Sequence, residues 1–274
     1  MLGMRTRKRR PKIQKASKAD INRLAFATIQ EHLYWYVGGV SMMSKKTGFI
    51  EVGTVTAMRW ENRRFLLTAD HVIKEHLNDE LTFVFRPHGT IPEARWWQRS
   101  TPGPLFRAQP LSIIQRHRCA EDDLAALEVN PDVEASGRVR FHELHAGSKV
   151  IRPIRSSLFA IGLPFDSCEH LGPHAAAFSM HILAGDEARK NVPGGFNPKK
   201  NILMEFPPAK EKREPGGFSG SGAWYQKATE KRQIWRPEMI LAGIITHYHR
   251  SRRVLEICRV ERVVRFLQGI SLGQ

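Results

Sequence analysis

The hexapeptide GFSGSG, residues 217–222 within EPGGFSGSGAW (214–224), combines closely spaced glycines with two serines and one bulky apolar residue. Two structures fit such a stretch. It is either a Gly/Ser-rich surface loop or a tight glycine turn that holds Ser219 as a nucleophile. The stretch alone favours the loop. The nucleophile hypothesis requires a base, a carboxylate and a scaffold elsewhere in the chain.

Short β-prone segments, separated by turn residues, fill the chain on both sides of this hexapeptide from about residue 33 onward. Their spacing predicts an all-β protein, either a sandwich or a barrel. The last segment, RVERVVRFLQGI, predicts a closing amphipathic helix. The stretch 130–148 predicts a connection between two β-rich halves. The predicted parts are therefore residues 1–32, a basic tail with a short helix, residues 33–140 and residues 141–274.

Candidates for the base and the carboxylate occur in the first half. His71 stands at the end of the apolar run RFLLTADHVI, and Asp123 begins the β-prone run DLAALEV. A carboxylate that leads into an apolar strand costs free energy unless a partner pairs with it. Asp122 is the rival acid, but alternation along the strand predicts that it faces the opposite side. Either His71 or Asp123 alone is more simply explained as a structural residue.

The order His71, Asp123, Ser219 indicates that these segments share one function, because it is the order of the catalytic residues in one class of serine hydrolases. The chain resembles the trypsin-like (chymotrypsin-fold) serine peptidases over roughly residues 35–270. The segment LLTADHV is similar to the family's Thr-Ala-Ala-His, Asp123-Leu-Ala-Ala-Leu to its Asp-Ile-Ala-Leu-Leu, and GFSGSG to its Gly-Asp-Ser-Gly-Gly-Pro. Two further strands, Ala160-Ile-Gly-Leu-Pro and Leu241-Ala-Gly-Ile-Ile-Thr, resemble the family's later strands.

The resemblance implies a fold of two six-stranded antiparallel β-barrels followed by a C-terminal helix. The first barrel (33–140) carries His71 and Asp123, and the second (141–274) carries Ser219. It also implies a serine endopeptidase that cleaves protein substrates through an acyl-enzyme, without cofactor or metal. His71 would take the serine proton, Asp123 would fix the imidazole, and the N–H groups of Gly217 and Ser219 would form the oxyanion hole.

The sequence departs from the family's digestive members at Phe218. In those members an aspartate before the serine pairs with a new N-terminal amine, and Phe218 cannot do so. The Val37-Gly-Gly segment is therefore predicted to be ordinary strand, and Phe218 is predicted to anchor the turn by burial. With no zymogen switch, an activating or recruiting protein partner is expected. Only three cysteines, at 119, 168 and 258, indicate the intracellular or bacterial branch.

Substrate preference depends on four residues that the resemblance assigns to the primary pocket: Arg213 at its base and Thr246, His247 and Tyr248 along its wall. Arg213 and His247 favour an acidic residue before the scissile bond, whereas a solvated Arg213 would contribute nothing, and both alternatives stay open. The pairs His247/His249 and His142/His145 suggest metal ligands. A third ligand at suitable spacing is missing, so we predict packing or surface histidines and no metal site.

The net charge of +16 is concentrated at the start of the chain, where residues 1–18 hold eight Lys or Arg and no acid. Such a run is typical of a solvated tail, but it also suits docking to nucleic acid or an acidic partner. The alternative function is accordingly an inactive trypsin-like fold that binds protein or nucleic acid through this tail. The sequence shows no signal peptide and no apolar membrane span, so we expect a cytoplasmic protein.

Overall fold

The computed structural model describes residues 18–44, 48–76, 80–85, 109–110, 112–135, 139–148, 157–164, 168–172, 175–178, 180–206, 216–226 and 238–273. The predictions for the basic residues 1–17 and for Arg213 lie outside these residues. None of the helices within the described part is long and apolar enough to cross a bilayer.

Strands dominate the described residues, and the helices are few. The strands are β1 (Val37–Ser44), β2 (Gly48–Trp60), β3 (Arg63–Ala69), β4 (Leu81–Val84), β5 (Gln109–Pro110), β6 (Ile113–Cys119), β7 (Leu124–Val129), β8 (His142–Leu144), β9 (Leu158–Gly162), β10 (Cys168–Gly172), β11 (Ala175–Phe178), β12 (His181–Gly185), β13 (Asn201–Glu205), β14 (Gly222–Gln226), β15 (Met239–His249) and β16 (Val254–Arg259). The α-helices are α1 (Lys18–Leu33), α2 (Asp70–Ile73), α3 (Asp132–Ala135) and α4 (Val260–Ser271), and short 3₁₀ turns cover Lys74–His76 and Ala120–Asp122.

Two large sheets contain most of the described strands, and β10 and β11 form a separate two-stranded sheet. In the first sheet the strand order is β5-β4-β1-β2-β3-β7-β6, with antiparallel pairing throughout, and the short β8 adds a parallel pair to β2. The second sheet has six antiparallel strands in the order β12-β9-β14-β15-β16-β13. The predicted all-β fold of two antiparallel sheets with a C-terminal helix is confirmed, and the curled sheets resemble a chymotrypsin-like double barrel. Because β8 follows residue 140, the first sheet reaches beyond the predicted boundary to Leu144.

Buried side chains form three main clusters, which correspond to the interior of each sheet and to the seam between the sheets. Val55, Ala57 and Leu66 belong to the interior of the first sheet. Ala160, Ala223 and Leu255 belong to the interior of the second. A larger cluster joins Met58, Phe65 and Leu67 of the first sheet with Ile161, Trp224 and Ile244 of the second. The seam is therefore an apolar core in its own right, and residues on it are held from both sides.

Helix α4 lies across this seam. It starts directly after β16 of the second sheet and buries the apolar face that the sequence predicts: Val260, Val263, Val264, Leu267 and Ile270. At its far end, Trp60 of β2 donates its indole N–H to the Ser271 hydroxyl at 3.1 Å. The helix therefore connects the last strand of the second sheet to the first sheet.

Candidate functional site

His71 is the second residue of the short helix α2, which interrupts the chain where β3 ends. Ala69 still pairs with Leu124 of β7, and the next amide, Asp70 N–H, donates to the Asp123 carbonyl at 3.1 Å. The Asp70 carboxylate is buried and accepts two bonds from Arg118, at 2.5 and 2.8 Å. These contacts fix the turn so that the imidazole projects from the end of the strand toward the seam.

Asp123 lies in a turn, not in the strand that the sequence predicts it to begin. It follows the 3₁₀ turn Ala120–Asp122 and has a left-handed backbone, with φ of 49°. Its carboxylate accepts the His71 backbone N–H at 2.9 Å and contacts His71 Nδ1 at 2.8 Å. Since a carboxylate only accepts hydrogen bonds, this contact places the imidazole proton on Nδ1 and leaves Nε2 as an acceptor.

Ser219 completes the contact across the seam. Its hydroxyl oxygen lies 3.2 Å from His71 Nε2, the nitrogen that is available to accept a proton. Residues 71, 123 and 219 are thus joined by consecutive hydrogen bonds, although 148 positions separate the first from the last. The His71 side chain is 41% exposed and that of Asp123 is 34% exposed, so the contacts lie at the surface of the seam. A ligand from solvent can reach them.

The turn that carries Ser219 requires glycine at two positions. Gly217 and Gly220 both have φ of 94°, in the region that glycine adopts without strain. At Gly220 a side chain would also have no room, because a Cβ atom would lie 1.9 Å from the Thr54 carbonyl oxygen. Of the two structures that fit GFSGSG, the chain therefore adopts the tight turn, and its glycines allow that turn to pack on the first sheet.

Two threonines of β2 hold this turn from the first sheet, and sequence reasoning missed them. The Thr54 hydroxyl donates to the Gly217 carbonyl at 2.6 Å, and the Thr54 amide donates to the Ser219 carbonyl at 3.1 Å. The Thr56 hydroxyl donates to the Gly220 carbonyl at 2.8 Å and accepts the Gly222 amide at 2.7 Å. The sequence signal is the alternation in β2, where two threonines face the seam between apolar residues that face the interior.

Phe218 anchors the turn, as the sequence predicts. Its side chain is 1% exposed and packs in the interior of the second sheet. Its ring also fills the space over Gly162, where a Cβ atom would lie 2.7 Å from it. Among the described residues, the neighbouring amides of Gly217 and Ser219 donate to no backbone carbonyl. The resemblance assigns these two N–H groups to an oxyanion hole, and that assignment stays a prediction.

Ser221, the second serine of the hexapeptide, has a different environment. It is fully buried, and its hydroxyl donates to the Ile161 carbonyl of β9. This hydroxyl binds the turn to the neighbouring strand and has no contact with solvent. Asp122 likewise does not face His71, but the reason predicted from strand alternation is wrong. It lies in the 3₁₀ turn, and its carboxylate is bound by Arg262 of α4.

The residues predicted to form the pocket wall lie on β15, next to the point where this strand meets the Ser219 turn. Thr246 is buried, His247 is exposed, and Tyr248 is half-buried with its ring 5.5 Å from that of Phe206. Pairing between β14 and β15 ends at Ile244. The next residue, Ile245, accepts the Gly220 amide and donates to the Ser221 carbonyl, both at 2.8 Å. Within the described part of the chain, residues 246–249 pair only with β16, so their other edge has no strand partner there.

Of the two histidine pairs, His247 and His249 have their rings 4.8 Å apart. His249 contacts Glu256 at 2.6 Å, an acid that spacing along the chain does not reveal because β16 brings it next to β15. His142 is half-buried, with its ring 4.8 Å from that of Trp224. Burial, with smaller contributions from His32 and His145, lowers the pKa of His142 to about 4. Among the described residues, no three His, Cys, Asp or Glu side chains could hold a metal ion.

Comparisons with known proteins add little to this geometry. No family model matches the chain, and no curated protein matches it. One matching solved structure comes from work on aromatic interactions in the coupled folding and binding of the intrinsically disordered Sesbania mosaic virus VPg protein. It is 11% identical, covers 84% of this chain and 89% of its own, and has a TM-score of 0.42. A likeness of this size carries no argument about function.

Proposed function

We propose that this chain is a serine endopeptidase of the trypsin-like type, with His71, Asp123 and Ser219 as its catalytic residues. The observation that carries the proposal is the unbroken series of hydrogen bonds from the Asp123 carboxylate through the imidazole to the Ser219 hydroxyl. A serine hydroxyl is a poor nucleophile at neutral pH and needs an adjacent base. A buried structural serine would not need an exposed histidine as its partner.

The proposed reaction begins when Ser219 Oγ attacks the substrate carbonyl carbon and His71 Nε2 takes the hydroxyl proton. The carbonyl oxygen becomes an oxyanion, which accepts hydrogen bonds from the amides of Gly217 and Ser219. Asp123 stabilises the imidazolium, which then gives its proton to the leaving amine. This leaves an ester on Ser219. Water, deprotonated by His71, attacks the ester, and the released acid and free hydroxyl complete the cycle.

The open edge of β15 provides a place for the substrate. An extended peptide can add to an exposed strand edge through main-chain hydrogen bonds. Since Ile245, directly before these residues, is hydrogen-bonded to Gly220 and Ser221, a peptide bound there would bring one of its carbonyl groups to the nucleophile. His247 is exposed on this strand and would contact a substrate side chain. The expected preference for an acidic residue before the scissile bond remains a prediction, since Arg213 lies outside the described residues.

Labelling with a fluorophosphonate probe tests the proposal, because such probes react with serines that a base activates. We expect one adduct on wild-type protein, none on Ser219→Ala, and wild-type labelling of Ser251→Ala, in which an exposed serine of the β15–β16 turn is removed. Hydrolysis of an unfolded protein substrate should fall roughly 10⁴-fold or more in Ser219→Ala. Folded wild-type protein that takes up no probe would overturn the proposal.

The alternative function, binding of protein or nucleic acid through the basic residues 1–18, remains a prediction. Residues 1–17 lie outside the described part of the chain. The expectations of an activating partner and of a cytoplasmic location also remain predictions.

A further inference from the structure

Asp122 and Arg262 form an ion pair beside the proposed catalytic acid that the reaction itself does not use. Arg262 donates from Nε and Nη2 to the two carboxylate oxygens of Asp122, at 2.8 and 2.6 Å. The Asp122 side chain is 6% exposed and that of Arg262 is 15% exposed. Two parallel bonds between a guanidinium and a carboxylate fix both distance and direction, which a single contact does not.

This pair joins the two halves of the molecule. Asp122 belongs to the turn before β7 of the first sheet, whereas Arg262 lies in the first turn of α4, directly after β16 of the second. Lys200, which precedes β13 of the second sheet, adds a bond from Nζ to Glu121 at 2.6 Å. The turn that ends in Asp123 is therefore held by cations from the half that carries Ser219. The similar pair of Arg118 and Asp70 lies wholly within the first half.

We propose that Arg262 is a positioning residue for the proposed catalytic site, an inference that rests on the proposed function. Asp123 directly follows Asp122 and has a left-handed backbone, so a shift of Asp122 changes the direction of the Asp123 carboxylate. That carboxylate holds both the amide and the ring of His71. Arg262 thereby sets the position of His71 relative to Ser219, across the seam.

The charge of Arg262 matters in a second way. Asp122 and Asp123 are adjacent carboxylates, and Asp122 is almost completely buried. Without Arg262, the buried charge would lack its main partner and would repel the carboxylate that supports the imidazole. The guanidinium compensates that charge locally, which leaves Asp123 free to interact with His71.

Three variants and one control test this inference. Arg262→Lys keeps the charge but loses the second parallel bond. Arg262→Met leaves a buried carboxylate and is the variant most at risk of unfolding. Asp122→Asn combined with Arg262→Met removes both charges, and such paired replacements are often close to neutral for stability. Arg265→Ala, which removes an exposed arginine one turn along α4, is the matched control.

In the folded double variant we expect the rate of fluorophosphonate labelling to fall about 10- to 100-fold, because a small misplacement of reacting groups has effects of this size. For peptide hydrolysis, kcat should fall while KM stays within about twofold of wild type. Arg262→Lys should recover part of the rate, and Arg265→Ala should label like wild type. A folded double variant that labels at the wild-type rate would overturn the inference.

Failure of the proposed function gives a different result. If wild-type protein takes up no probe, the proposed function fails, whereas the positioning role is still tested by the His71 Nδ1 proton in the NMR spectrum. We expect a downfield resonance for this proton in wild type and in Arg265→Ala, and its loss or broadening in the folded double variant. An unchanged resonance would contradict a positioning role for Arg262.

Discussion

The turn that carries Ser219 and the turn that carries Asp123 meet at the same site, but different forces hold them. The Ser219 turn is fixed by threonine hydroxyls, backbone amides and a buried phenylalanine ring, all of them uncharged. The Asp123 turn is fixed largely by charged groups, Arg262 and Lys200. Neutral buried bonds respond little to salt, and a nearly buried ion pair such as Asp122–Arg262 is screened far less than the exposed pair Lys200–Glu121. The two turns are therefore expected to differ in the substitutions that damage them: loss of shape or of neutral hydrogen bonds at the Ser219 turn, and loss of a buried charge at the Asp123 turn.

Substitution Gly220→Ala should have the largest effect, because Gly220 is the residue of the Ser219 turn that packs against the first sheet with no room for a side chain. The new Cβ atom would overlap the Thr54 carbonyl oxygen at 1.9 Å and would require a left-handed backbone. We expect the free energy of unfolding to fall by about 5 kcal/mol, or folding to fail, with complete loss of labelling. Urea denaturation and probe labelling measure both.

Gly195→Ala is the matched control, since Gly195 also has a positive φ, of 80°, but nothing lies near its Cβ position. It carries the backbone strain without the overlap, so a loss of about 1 kcal/mol and normal labelling are expected. Equal losses in the two variants would show that contact with the first sheet does not hold the Ser219 turn.

Thr56→Val should have the next largest effect. Valine keeps the shape but leaves the Gly220 carbonyl and the Gly222 amide without the hydroxyl that serves both. Unpaired buried groups cost about 1–3 kcal/mol each, so a loss of about 3–4 kcal/mol is expected. Thr56→Ser keeps the hydroxyl and should recover most of this stability. If valine proved as stable as threonine, the hydroxyl bonds would not hold the turn.

His142 predicts a dependence of stability on pH at the seam behind the Ser219 turn. Its pKa is lowered to about 4, from 6.5 in the unfolded chain, so between these values the unfolded state binds more protons. Stability should be constant above about pH 6.5 and should fall by about 3 kcal/mol as the pH is lowered to 4. In His142→Phe, the slope of the free energy of unfolding against pH should decrease in this range by the contribution of one proton. Denaturation at a series of pH values measures this slope.

The exposed His145→Gln variant controls for the loss of a histidine as such. The free energy of unfolding of this variant should fall between pH 6.5 and pH 4 as much as that of wild type does. A curve for His142→Phe that falls as steeply as that of wild type would assign the pH dependence to other groups.

Lys200→Ala should have the smallest effect. It tests the exposed ion pair of the Asp123 turn separately from the buried pair of Asp122 and Arg262. Its partner Glu121 is 70% exposed, and such pairs contribute little. We expect labelling within about twofold of wild type at any salt concentration. A loss as large as that of the Asp122/Arg262 double variant would move the positioning role from Arg262 to Lys200.

Much of the fold and the order of the three proposed catalytic residues could be predicted from sequence. Strand-length runs, turn residues and helical spacing at the C-terminus are local signals, and the all-β fold and α4 follow from them. The burial of Phe218 could also be predicted, because a large apolar side chain among glycines and serines is most simply explained by burial. The hexapeptide had to be interpreted together with two distant segments before a turn was favoured over a loop.

The contacts that position the site could not be predicted, because they depend on tertiary neighbours. Thr54 and Thr56 look like ordinary β-formers, and their partners lie more than 160 positions away. Arg262 looks like any charged residue on an amphipathic helix. Strand alternation misjudged Asp122, because a 3₁₀ turn replaces the assumed strand at that point. Each of these residues is of a type that is ordinary for its local structure, and its role depends on a partner that is distant in the sequence.

The rate of Ser219 phosphonylation in wild type and in His71→Ala tests the central claim most directly. The claim is that an imidazole from the first sheet activates a hydroxyl from the second. If so, wild-type protein reacts at Ser219, and removal of the imidazole slows the reaction by about 10³-fold while the fold is retained. Equal rates in the two proteins, with both folded, would contradict the claim.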